Sequence, residues 1–443
     1  MTKYLALFFA AVLLFNINAQ EKKILTIDEA IRLGFINNPN IQKTKNQIES
    51  SKTGLLSARS SLYPTITGNA SWDWSRNDFK VGDKSAADEN RNWGLGVSSS
   101  YVLFDGYSKY VNIGLKTRDI ESAKLNLRRL QQDIVYQTIT LYYKVLNLKE
   151  LVKVRQENLD WNRENLKVIQ AKVDVGAGIL TDVKKQEVNV GQAEFDLLQT
   201  IQNLDDAKQQ LYYYLGLDVT EDFEFEDGEK MITDLKQDTL RGGKWYDIPL
   251  DDLMAEALNK RADVKVAELS LKSAEDGVEI AGSANMPTIS NTASYSIGGA
   301  TPWNILDSRT IRFGFNLSIP IFTGYSVTAN EELAKIQVKN KQIELTDLQK
   351  AIKRDLLQSY LEIKTAEKKI EVGRKSISSA EANRDLEEAR YKVGTSTLIN
   401  LQLANTDLMK VQVDYVNSLF DILRLEAQLK YDLGSVSTEI YEQ

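Results

Sequence analysis

The chain has 443 residues, with 55 Lys+Arg against 62 Asp+Glu and a net charge of −7. That is enough for two to four ordinary domains or one elongated body, and it does not favour a basic nucleic-acid surface. With no Cys and no His, disulfides, thiolate nucleophiles, most transition-metal sites and most hydrolase triads are excluded, so no cofactor or metal is expected and carboxylate chemistry alone survives.

Residues 1–19 read as a secretory signal peptide. Lys3 gives a short positive start, Tyr4 to Phe15 is almost wholly apolar, and Ile17-Asn18-Ala19 ends on a small residue before Gln20-Glu21-Lys22-Lys23. The apolar run of about 12 residues is too short for a spanning helix, which needs about 20.

The remainder repeats itself. Val175-Gly176 and Val393-Gly394 lie 218 residues apart (393 less 175), as do Phe104-Asp105-Gly106 and Phe322-Thr323-Gly324. Upstream, Pro64-Thr65-Ile66 matches Pro287-Thr288-Ile289 at an offset of 223 (287 less 64), so the first copy is expected to hold a longer loop between Pro64 and Phe104. An ordered series of matches with one indel marks a tandem duplication. Copy one is placed at 20–216 and copy two at 248–434, with a tail at 435–443. Each reads as short helix, helix, Pro, strand, loop, strand, FxG, very long helix, VG turn, helix.

Strands are expected at about 64–76, 93–104, 287–298 and 311–322. In the first, Ile66, Gly68, Ala70, Trp72 and Trp74 alternate with Thr67, Asn69, Ser71, Asp73 and Ser75. In the last, Ile311, Phe313, Phe315, Leu317, Ile319 and Ile321 alternate with Arg312, Gly314, Asn316 and Ser318. Such strands of about 10–12 residues, apolar on one face and polar on the other, fit a membrane barrel with a wet lumen. A soluble hairpin packed on one face is the alternative. Four strands cannot close a barrel alone, and lipid forbids open edges, so several chains must contribute; three would give twelve strands.

Helical hairpins are expected at 105–216 and 323–434. No Pro lies between Pro64 and Pro249 or after Pro320, and about 70 helical residues span about 100 Å. Leu141, Val145, Leu148, Val152, Leu159, Leu166, Ile169 and Val173 form a coiled-coil seam that Arg155 and Asn162 interrupt. Leu180, Val183, Val190, Leu197, Ile201, Leu204, Leu211 and Leu215 continue it after the turn. Leu398, Leu401, Leu408, Tyr415, Leu419, Ile422, Leu429 and Leu433 do the same in copy two. Residues 217–247 are an acidic linker or a small mixed belt, with Phe223, Phe225, Trp245 and Tyr246 favouring some packing.

The duplicated strand pairs and VG-tipped hairpins together resemble the TolC family of outer-membrane efflux proteins over essentially the whole mature chain. The most specific stretch is Arg390-Tyr391-Lys392-Val393-Gly394-Thr395-Ser396-Thr397-Leu398, with Asp414-Tyr415-Val416-Asn417 following. The resemblance implies a mainly α fold: a homotrimer with a periplasmic α-barrel of coiled-coil hairpins and one shared 12-stranded transmembrane β-barrel. It implies an adaptor protein docking at the tips (Val175, Gly176, Val393, Gly394, Thr395) and an inner-membrane pump of RND or ABC type behind it. Pro64, Phe104, Gly106, Pro287, Phe322 and Gly324 become strand–helix junctions. It also implies a tip gate in which an aspartate bonds a tyrosine; the matching positions are Asp182, beside Thr181, and Tyr391. Where well-known members carry a tip arginine and two acids, this chain has Ser396, Asn400 and Leu403, so a weaker latch is expected. An ordinary early-helix carboxylate is the alternative for Asp182.

The functional expectation is a passive outer-membrane duct for small molecules, with protein secretion of type I as the alternative. The rivals are an adaptor, an envelope coiled coil and a carboxylate glycosidase. The first two do not need two alternating strand pairs, and heptads offer the third no substrate cleft.

Overall fold

A computed structural model describes residues 24–81, 84–220, 223–226 and 249–438. The expected signal peptide, most of the linker with Trp245 and Tyr246, and the end of the tail lie outside them. In chain order the elements are β1 (Ile24–Leu25), α1 (Ile27–Asn37), α2 (Pro39–Ser60), β2 (Thr65–Val81), β3 (Lys84–Phe104), α3 (Ser108–Asp174) and α4 (Leu180–Leu215). There follow β4 (Glu224–Phe225), α5 (Leu250–Lys260), α6 (Ala262–Ser283), β5 (Thr288–Gly299), β6 (Ser308–Ser318), α7 (Ser326–Lys392) and α8 (Leu398–Asp432). The chain forms two compact units: residues 40–130 with 254–354, and residues 1–39 with 131–253 and 355–443.

The first unit holds an antiparallel sheet in the order β2-β3-β5-β6. Its apolar face is open, with Ile66 71% and Ile311 80% exposed and Trp72 and Phe313 alongside. The strands differ from the expected ones. Residues 77–92 were expected to be loop, yet 77–81 and 84–92 are paired strand, from Asp73 opposite Asn92 through Asn77 opposite Asp88 to Val81 opposite Lys84. Copy one therefore has longer strands, of 17 and 21 residues against 12 and 11, not a longer loop. The reason is that both faces turn largely polar past Trp74 and Trp93, so the period-2 signal vanishes while backbone pairing continues. In copy two, β6 begins at Ser308 and ends at Ser318. Ile319 and Ile321 fall outside it, because Pro320 has no N–H to give a ladder.

In the second unit, Tyr142, Leu146, Leu211, Leu215, Phe223, Phe225 and Phe420 form one core. The parallel pairing of β1 with β4 brings Leu25 and Phe225 into it. The seven expected seam residues of α8 and Leu433 just after it are all buried. In α4, Val183, Leu197, Leu211 and Leu215 are buried, but Leu180 and Ile201 are exposed. Leu180 opens the helix beside the turn, where its side chain gains no cover.

Glycines stop these helices by one device. At Gly216 (φ +69°) the N–H donates to Tyr213 O, and Leu217 N–H donates to Tyr212 O, the pair of bonds of a Schellman cap. A Cβ at Gly216 would meet Asn37 O at 2.9 Å. Gly216→Ala is therefore expected to cost about 2 kcal/mol or more, from left-handed strain plus the clash. At Gly394, also left-handed, a Cβ meets nothing within 4 Å, so Gly394→Ala should cost only the strain of about 1–2 kcal/mol. Thermal melts of the two variants check the order.

Candidate functional site: the hairpin tips and the strand–helix junctions

Both VG turns are Schellman caps. Gly176 N–H donates to Val173 O and Ala177 N–H to Lys172 O; Gly394 N–H donates to Tyr391 O and Thr395 N–H to Arg390 O. Val175 and Val393, just before the glycines, are 78% and 74% exposed. The tips thus present apolar side chains on rigid, self-capped turns. Thr395 Oγ1 also donates to Arg390 O at 3.2 Å.

Behind the turns, Tyr391 packs with Ile169, Val183, Leu398 and Leu401 in a cluster built from both hairpins. Its phenol is pushed up by burial and then by the charge of Asp182. Asp182 is half-buried in the first turn of α4, beside exposed Thr181, and its carboxylate makes no hydrogen bond among the described residues. The aspartate–tyrosine bond expected from the resemblance is absent within the protomer; Asp182 acts on Tyr391 through charge alone. At Tyr391 the hairpins are bridged by Lys172. Its Nζ donates to Tyr391 O at 2.8 Å and Lys392 O at 3.3 Å, and lies 4.4 Å from the centre of the Tyr391 ring.

Ser396 does not stand free as an arginine substitute. It donates to Glu387, which Arg390 also engages at 2.8 Å. These contacts, the Ser396 bond first, hold the Glu387 carboxyl below its usual range. Asn400 N–H donates to Thr397 Oγ1, closing the N-cap of α8, and Leu403 is exposed.

The two interruptions of the seam have partners. Arg155 pairs with Asp196 at 3.1 Å. Asn162 is buried and accepts from Gln186, which accepts from Gln402 at 3.2 Å. Asn405 donates to Asn158 at 2.9 Å. This neutral amide layer ties α3, α4 and α8 in register, the use to which buried polar groups in coiled coils are put.

The junctions repeat as closely as the tips. Pro64 and Pro287 immediately precede β2 and β5. Gly106 (φ +70°) and Gly324 (φ +62°) are each followed by a left-handed tyrosine, Tyr107 (φ +69°) and Tyr325 (φ +65°). Each tyrosine is exposed and packs edge-on against the preceding phenylalanine, Phe104 at 5.2 Å and Phe322 at 5.7 Å. Sequence reasoning missed Lys172, Glu387 and both tyrosines. Only the tyrosines left a signal, since they obey the 218-residue offset.

Residues 31–217 and 253–435 match the family model described as outer membrane efflux protein. The chain is 24% identical over 399 residues to the outer membrane efflux protein BepC of Brucella suis, spanning 90% of this chain and 83% of that protein. It is 22% identical over 437 residues to the outer membrane protein TolC of Escherichia coli, spanning 96% and 85%. Among solved structures, the CmeC outer membrane channel of Campylobacter jejuni matches with a TM-score of 0.81 at 16% identity, over 93% of this chain and 86% of that one.

Proposed function

The chain belongs to the outer membrane efflux protein family, and on that premise we propose that it is the passive exit duct of a tripartite efflux system. Three copies close one barrel of twelve strands in the outer membrane, and their helical hairpins continue the path through the periplasm. A periplasmic adaptor docks at Val175, Gly176, Val393, Gly394 and Thr395, and an inner-membrane pump, RND or ABC, supplies the energy. The family is one of channels, not enzymes.

The observation that carries this reading is the two-faced sheet. Ile66, Trp72, Ile311 and Phe313 are exposed on one face, and β2 and β6 are left as open edges. In water such a face and such edges invite aggregation; in lipid, closure by further copies satisfies both. Extraction of the outer membrane in mild detergent is expected to release a particle of three mature chains. A monomer in the soluble periplasmic fraction would overturn the proposal.

A further inference from the structure

The polar face of the sheet carries one charge where the strands lie four abreast. Pairing aligns Thr67 with Ser98, Ser98 with Ser294 and Ser294 with Arg312. Four such rungs cross all four strands, beginning on β2 at Thr65, Thr67, Asn69 and Ser71. Every position on them except Arg312 is Ser, Thr, Asn or Gly. Arg312 is exposed, and among the described residues no carboxylate lies within ion-pair distance of it. On the polar face the nearest acid in β2 is Asp73, six residues along the strand from Thr67, or about 20 Å.

The placement has a physical consequence. A guanidinium keeps its charge at any working pH. On the lipid face it would cost about 2–4 kcal/mol at the bilayer midplane, and the alternation puts it on the opposite face, with Ile311 and Phe313 on the lipid side. A hydroxyl-lined wall offers counter-dipoles but no counter-charge. About 20 Å exceeds the screening length of about 8 Å at physiological salt, so Asp73 does not cancel Arg312 there and offsets it only in part in dilute salt. A closed trimer repeats any residue at one level, and rings of Arg favour anions in pores.

Resting on the channel reading above, we infer that Arg312 is the specificity-determining residue of the barrel lumen, a ring of three positive charges that favours anionic over cationic solutes. The test is the chloride-to-potassium permeability ratio of the full-length protein in planar bilayers. It is read from reversal potentials in a salt gradient, with the dilute solution first on the barrel side and then on the tip side. Arg312→Gln is expected to lower the ratio at least about twofold in dilute salt, where the screening length reaches about 30 Å, and far less at 1 M, where it is about 3 Å. Arg312→Glu should lower it further, and Arg312→Lys should retain it. The change should be larger with the dilute solution on the barrel side, which separates it from any selectivity of the tips. Equal recovery of trimers excludes a folding defect. An unchanged ratio for Arg312→Glu in both orientations overturns the inference. Failure of the unaltered protein to conduct at all would instead overturn the channel reading.

Discussion

Tyr142→Ala is expected to destabilise the helical core by about 4–5 kcal/mol, the upper range for removing a buried aromatic. Tyr142 has no exposed surface, its ring lies 5.7 Å from that of Phe225, and its hydroxyl donates to Leu25 O at 2.9 Å. One side chain therefore fills volume between helices and also anchors β1, which pairs with β4. Tyr142→Phe keeps the ring and leaves the Leu25 carbonyl without that donor, at a cost of about 1–2 kcal/mol. Denaturant midpoints followed by circular dichroism should show the larger loss for Ala; equal losses would mean that the hydrogen bond, not the packing, carries the effect. Burial is also the first cause raising the phenols of Tyr142, Tyr143 (to about 12) and Tyr214. Their folded pKa values exceed the unfolded value near 10, so the folded state keeps protons that the unfolded state releases. Stability is therefore fully present below pH 10 and falls as pH rises above it. A midpoint that climbs between pH 10 and 12 would contradict this assignment.

Lys172→Met is expected to loosen the tip more than any change at Asp182. The Lys172 ammonium bonds two carbonyls at the C-terminal end of α7 and faces the Tyr391 ring. It thereby places a cation where the helix dipole is negative and gives Tyr391 O, which already accepts from Gly394 N–H, a second donor. A charged hydrogen bond and a cation–π contact together are worth about 2–3 kcal/mol per protomer. That corresponds to roughly 30- to 150-fold in the equilibrium between closed and loosened tips. Methionine keeps the stem and removes the charge. Asp182→Asn breaks no hydrogen bond in the protomer, so its effect should be several-fold smaller. Single-channel recordings should give Lys172→Met the higher open probability; the opposite order would return the latch to Asp182.

Much of this molecule was written in local pattern. The VG repeats at 175–176 and 393–394 and the FxG repeats at 104–106 and 322–324 mark helix caps and strand–helix junctions. They are visible in sequence because only glycine takes left-handed φ at no steric cost. The alternation from Ile311 to Leu317 declared a two-faced strand, and the α8 heptad declared a buried seam, because both periods follow from backbone geometry alone. The extension of β2 and β3 through residues 77–81 and 84–92 was not legible, since ladder hydrogen bonds are made by backbone and leave no mark on side-chain pattern when both faces are wet. Nor was the choice of Lys172 over Asp182 as the partner of Tyr391. Those residues stand some 220 and 210 positions apart in sequence (391 less 172, and 391 less 182), and which of them reaches the tyrosine depends on how α3, α4 and α7 lie against one another. Composition, repeat and periodicity determined the elements and the duplication, and the family resemblance supplied the class of protein. Tertiary structure decided the extents of the strands and the pairing at the tips, because those depend on contacts between segments that no local propensity encodes.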